Sequence, residues 1–150
     1  MVKKVLKYGA GALAAALIVA QFIQPERTNP PADPSSSFEA VAKPPREISA
    51  VIGRACLDCH SNQTVWPWYS RISPVSWLIA GDVKEGRSKL NFSQWNFYSP
   101  EMTRIKLVEI CKEVKGGEMP PWYYVPMHPG TRVTPEEASA ICSASAAQAR

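Results

Sequence analysis

The stretch that most constrains this chain of 150 residues is Cys56-Leu57-Asp58-Cys59-His60. Two cysteines three apart, followed at once by a histidine, form the attachment signature of c-type haem. Each residue has a chemical reason to be there. Two thiols add across the two vinyl groups of a porphyrin, giving two thioether bonds. Positions i and i+3 lie about one helical turn apart, so both sulfurs fall on one face. His60 then points beneath the macrocycle as the proximal iron ligand. Two other readings compete. A thioredoxin-like Cys-x-x-Cys belongs in a βαβ context with no following histidine, and none appears here. A structural zinc site needs four ligands, and the remaining candidates, Cys111, Cys142 and His128, include no second close pair. The expected cofactor is one covalent haem c per chain.

Length allows one small domain with a usable core. The formal charge of +4 includes Lys3, Lys4 and Lys7; the remainder carries 14 basic and 13 acidic residues, a net of +1. No basic patch is interleaved with aromatics, so nucleic acid is not an expected partner. There is no internal repeat.

Residues 1–24 read as an export element. A basic flank precedes an apolar run that extends from Val5 to Ile23, about the ~20 residues that span a bilayer. The flank orients its own end to the cytoplasm. An uncleaved helix anchored in the inner membrane is expected, because the run continues through Phe22 and Ile23. The rival is a signal peptide cleaved near Ile18-Val19-Ala20, leaving a soluble periplasmic form. In both cases the rest of the chain lies in the periplasm.

Residues 25–45 form a tether with six prolines (Pro25, Pro30, Pro31, Pro34, Pro44 and Pro45) around a Ser35-Ser36-Ser37 run. Such density favours extended, semi-rigid chain that holds a domain off a membrane. Residues 46–150 then read as an all-α domain of short helices. The first runs from Arg46 into the haem motif, with Ile48, Val51, Ile52 and Ala55 as its apolar stripe. The second starts at Ser73-Pro74 and the third at Ser99-Pro100-Glu101, each a cap followed by a first-turn proline. The third stops at Gly116-Gly117. The last opens with a capping box, Thr134-Pro135-Glu136-Glu137.

The sixth iron ligand must come from farther along. Met119, in Gly116-Gly117-Glu118-Met119-Pro120-Pro121, is the best candidate; its thioether favours ferrous iron and raises the potential. The bland alternative is a gap-filling core methionine. Met127 and His128 are runners-up, and Met102 reads as packing. Thr64 to Tyr69 with Trp77, Trp95 and Trp122 fit a dry haem crevice, and Arg71, Arg87 and Asn91 are candidate propionate donors. A carbonyl near Pro67 or Pro74 is the expected acceptor for the His60 Nδ1–H. Asn62-Gln63-Thr64 matches a glycosylation sequon, but beside the haem motif it reads as coincidence. Cys111 and Cys142 are expected to pair in an oxidising compartment, the alternative being two buried thiols.

Longer stretches carry a resemblance. They are Arg27-Thr28-Asn29-Pro30-Pro31, Cys56 to His60, Trp66-Pro67-Trp68-Tyr69-Ser70, Ser73-Pro74-Val75-Ser76-Trp77, Gly86-Arg87, Leu90-Asn91-Phe92-Ser93 and Gly117-Glu118-Met119-Pro120-Pro121-Trp122-Tyr123. Over roughly residues 27 to 142 the chain resembles the haem-binding domain family of small exported proteins with a single Cys-x-x-Cys-His motif. The resemblance implies a monohaem, cytochrome-c-like helical domain, usually membrane-associated. One departure is the end of the last helix, Cys142-Ser143-Ala144-Ser145, which lacks an aromatic after the cysteine. Packing against the first helix then falls to small residues, Gly53 facing Ala138 or Ala144. The expected function is electron transfer to redox partner proteins, not enzymatic chemistry. The alternative is a haem enzyme or a sensor of peroxide, O2 or NO with an open distal site.

Overall fold

A computed structural model of the chain describes residues 1–148. The expected all-helical class is found: seven α-helices joined by short 3-10 turns, with no strand among the described residues. Helix α1 spans Val2–Ala20, α2 Phe38–Ala42, α3 Arg46–Ala55, α4 Leu57–His60, α5 Val75–Lys89, α6 Pro100–Gly116 and α7 Pro135–Gln148.

Local chemistry explains most of the helix ends. At α6, Ser99 Oγ accepts the Met102 amide, Pro100 takes the first turn, and Gly117 closes the helix with φ 73°. Only glycine adopts that left-handed turn without a Cβ penalty. At α7 the capping box is complete: the Glu137 amide donates to Thr134 Oγ1 at 3.2 Å and the Thr134 amide to Glu137 Oε2 at 2.9 Å. Helix α5 departs from expectation. Ser73 does not cap it; its hydroxyl lies 3.0 Å from Ser76 Oγ, and Pro74 stands at the N-cap. The first helix does not run unbroken into the motif either. It ends at Cys56 (φ −123°), and α4 begins again at Leu57.

The apolar stripe of α3 (Ile48, Val51 and Ile52) meets Phe92, Trp95, Leu107, Ile110, Val114, Ala138 and Ile141 in one core. Phe38 completes it, edge-on to both Phe92 and Trp95 at centroid distances of 5.3 and 4.6 Å. Phe38 lies within the stretch expected to be a tether, so that stretch is not a free spacer. Its residues are laid along the domain: Arg27 donates to Ser70 O, Asn29 to Thr64 O, and Pro31 O accepts from Asn62. Trp95, assigned to the haem crevice by sequence, is 2% exposed and belongs to this core.

Cys111 and Cys142 form a disulfide of S–S length 2.01 Å that joins α6 to α7. The alternative of two separate thiols is therefore overturned. Helix α7 reaches α3 through a side-chain ion pair, Arg54 Nη2 to Glu137 Oε1 at 2.6 Å, and not through Gly53. Gly53 is exposed, with nothing within 4 Å of where a Cβ would stand. Small residues of α7 do reach the core that α3 shares, Ala138 within it and Ala144 packed against it.

No helix among the described residues is long and apolar enough to cross a membrane. The expectation of a spanning anchor is not supported, for a physical reason. Lys3, Lys4 and Lys7 occupy the first two turns of α1, leaving residues 8–20 as its uncharged part. At ~1.5 Å per residue that part is roughly 20 Å long, short of the ~30 Å hydrocarbon core. Phe22 and Ile23 lie beyond the helix, where Gln21 Nε2 turns to bond Ser73 O at 3.0 Å.

Candidate haem site

The motif occupies a single helical turn. The Cys59 and His60 amides both point back to Cys56 O, at 3.3 and 2.9 Å, so the two cysteines and the histidine share one compact unit. Both thiols are free and half-buried. Desolvation raises the Cys56 thiol to about 12 and the Cys59 thiol to about 11, the latter helped by Asp82 and Asp58. A redox-active Cys-x-x-Cys of the thioredoxin kind sits in a βαβ unit with no following histidine, whereas here the motif lies in an all-helical fold with no strand among the described residues. The thioredoxin-like reading therefore lacks its structural context.

His60 is oriented through one nitrogen. Its Nδ1 lies 3.0 Å from Gly86 O and 3.1 Å from Leu90 O, two carbonyls at the end of α5. These are not the carbonyls near Pro67 or Pro74 that sequence suggested. With Nδ1–H donated, Nε2 is the atom left for a metal, and no described residue bonds it. Burial lowers the imidazole pKa, against the opposing pull of the Leu90 and Gly86 carbonyls, which favours the neutral form a ligand needs.

Gly86 and Arg87 fasten α5 to the motif. A Cβ on Gly86 would stand 2.7 Å from Cys59 O, so only hydrogen fits between helix and motif at that point. Arg87 spends its guanidinium on four acceptors: Ser61 O at 2.7 Å, Thr28 O at 2.9 Å, Asn29 Oδ1 at 2.7 Å and Thr64 Oγ1 at 2.8 Å. It binds the two chain segments on either side of the motif together and is not a spare propionate donor. Asn91 is likewise committed, donating to Asn62 Oδ1 and accepting the Ser93 amide. Of the three propionate candidates only Arg71 makes no side-chain hydrogen bond to a described residue. Asn62 is buried and its amide donates to Pro31 O, so the sequon is not presented for modification.

The segment carrying Met119 lies against the same motif. Tyr124 Oη donates to Asp58 Oδ2 at 2.8 Å, and Tyr123 Oη to Asp82 Oδ2 at 3.2 Å. His128, a runner-up ligand from sequence, is already engaged. Its Nδ1 donates to Tyr124 O at 3.0 Å, leaving Nε2 to accept from Tyr69 Oη at 2.8 Å. Its ring stacks on Tyr124 at 3.7 Å between centroids. Met119 itself is 37% exposed and makes no hydrogen bond through its side chain; its amide donates to Glu113 O. Trp122 and Trp68 are 81% and 71% exposed.

The donor set fits a covalent porphyrin. It consists of two adjacent free thiols on one turn, an imidazole pinned at Nδ1 with Nε2 available, and large rings left uncovered by the protein. Such a constellation in an all-helical fold defines a haem-binding helical domain. The family profile described as "Haem-binding domain" matches residues 15–146, and the chain belongs to that family. Comparison with curated proteins and with solved structures gives no match. The match begins within α1 and includes the proline-rich stretch, as expected of residues that pack into the domain.

Proposed function

We propose that this chain is an exported, monohaem c-type cytochrome that carries electrons and is not an enzyme. The observation that carries the reading is the imidazole of His60, half-buried and anchored through Nδ1 beside two free thiols. Cys56 and Cys59 would hold the porphyrin through thioethers, and His60 and Met119 would ligate its iron. Bound haem supplies a one-electron ferric–ferrous couple. The protein's part is to hold His60 in one orientation, keep water from the ring, and offer partners an exposed edge near Trp68 and Trp122. Two protein ligands leave no open iron position, which favours outer-sphere transfer.

Export rests on Lys3, Lys4 and Lys7 ahead of a short apolar helix. Residues 8–20 have the length of a signal-peptide apolar region, ~7–15 residues, better than that of a bilayer span. The Cys111–Cys142 bridge agrees with an oxidising compartment. Redox partners are then other proteins of that compartment.

Two measurements test the reading. Protein made with the haem-attachment machinery, run denatured, stains for haem; a colourless band of intact protein would refute covalent attachment. In the oxidised protein, Met119→Ala removes the weak long-wavelength sulfur-to-iron band and lowers the potential. Persistence of that band in Met119→Ala, with its loss in Met127→Ala, assigns the distal position to Met127.

A further inference from the structure

Asp58 is a variable position of the attachment motif, yet its side chain is fully used. Oδ1 accepts the Val65 amide at 3.1 Å, and Oδ2 accepts Tyr124 Oη at 2.8 Å. Its main-chain oxygen accepts Thr64 Oγ1 at 2.6 Å. One residue inside the motif thus grips both the 64–69 aromatic segment and the segment that follows α6. These two segments are also joined to each other by the Tyr69–His128 hydrogen bond.

The consequence falls on Met119. Before it, the Glu118 and Met119 amides both donate to Glu113 O, at 3.0 and 3.3 Å, holding the chain to the end of α6. After it, the Tyr124 amide donates to Pro121 O at 2.9 Å, closing a turn, and the Tyr124 phenol then reaches the motif. Pro120 and Pro121 stiffen the span between. Met119 therefore lies between two fixed points, one on α6 and one on the motif that carries the proximal histidine.

We propose that Asp58 and Tyr124 are positioning residues that set the distance of the Met119 thioether from the haem iron. The proposal rests on Met119 being the distal ligand. The bond from Tyr124 to a carboxylate is charge-assisted, the stronger kind. A thioether is a weak neutral ligand, so it depends on being held in place by the chain. Without the clasp the segment keeps its ties to Glu113 O, Asp82 and Tyr69 but loses the one to the motif itself, and the methionine spends part of its time away from the iron.

The test uses the haem-loaded protein. Tyr124→Phe removes the hydroxyl and keeps the ring stacked on His128; Asp58→Asn keeps an acceptor oxygen; Asp58→Ala removes both grips. Expected in Tyr124→Phe and Asp58→Ala is a weakened sulfur-to-iron band and binding of added imidazole or carbon monoxide roughly 10- to 100-fold tighter, the span of a lost hydrogen bond to a charged group. The double variant Tyr124→Phe/Asp58→Ala adds little to Asp58→Ala, and Asp58→Asn, which keeps one acceptor oxygen but loses the charge, lies between wild type and Asp58→Ala. Amide exchange over residues 119–127 speeds up in the same order, a readout independent of the haem spectrum. An unchanged band and unchanged ligand affinity in Tyr124→Phe and Asp58→Ala, with haem still attached, overturn the proposal. A wild-type band that survives Met119→Ala instead removes the assignment of Met119 and leaves the clasp to be judged by exchange alone, where unchanged rates in Tyr124→Phe overturn it.

Discussion

At the scale of single residues, the sharpest constraint is where α5 touches the motif. Gly86 leaves no room for a methyl group, because a Cβ would meet the Cys59 main chain at 2.7 Å and 3.1 Å. Main-chain atoms cannot swing aside as a flexible side-chain tip can. Gly86→Ala is therefore expected to destabilise the protein by ~1–3 kcal/mol, the usual range for overpacking. This is so although alanine is favoured over glycine in a helix interior by up to ~1 kcal/mol. The same shift would move the Gly86 and Leu90 carbonyls away from His60 Nδ1. Urea midpoints with an unchanged slope decide it; equal or greater stability in Gly86→Ala would show that the contact relaxes freely. Arg87 illustrates the opposite limit of legibility. Sequence marked it as a cation near a haem motif, but its four neutral acceptors come from residues 28, 29, 61 and 64. No local pattern announces such a set.

At the scale of elements, the caps of α6 and α7 were readable because their chemistry is local, with donor and acceptor three residues apart. The start of α5 was not, since Ser73 is drawn into contacts with Gln21, Gln24 and Ser76. The junction of α3 and α7 yields a prediction in pH. The Arg54 hydrogen bond, with that from the Thr134 amide, holds the Glu137 carboxyl below its ordinary 4.5. A depressed carboxyl stabilises the fold above its unfolded value and loses that contribution as pH falls through the folded value. The pair is about one-third exposed on both sides, so its worth is about 1 kcal/mol or less. Glu137→Gln should therefore lower Tm slightly at pH 7, and the gap to wild type should close as pH drops below 4.5. A gap that stays constant down to pH 3 would show that the charge of the Glu137 carboxylate contributes nothing to the difference.

At the scale of the whole molecule, the proline-rich stretch is the element whose role changed most. Phe38 is 5% exposed and packs against Phe92 and Trp95. Phe38→Ala is expected to cost ~3–5 kcal/mol, as for other buried aromatics. Removal of residues 1–20, a helix with no buried residue, should leave the denaturation midpoint nearly unchanged. Thermal and urea unfolding of the two variants compare them directly. If both lose the same stability, α1 belongs to the cooperative unit; if neither loses any, the packing of Phe38 contributes nothing.

What the sequence determined by itself about this chain was whatever depends on near neighbours. The haem motif, the all-helical class, the helix caps at Ser99 and Thr134 and the stop at Gly117 all rest on contacts within about one turn. The tertiary structure decided the rest. It chose carbonyls at residues 86 and 90 to orient His60, drew Trp95 and Phe38 into one core, and engaged His128 between Tyr69 and Tyr124. It also placed Asp58 as the link between two segments that flank the motif. Most of those outcomes join residues far apart, 26 positions for His60 and Gly86 and 66 for Asp58 and Tyr124, and a side chain's type fixes what it can bond but not which distant partner the fold will bring to it.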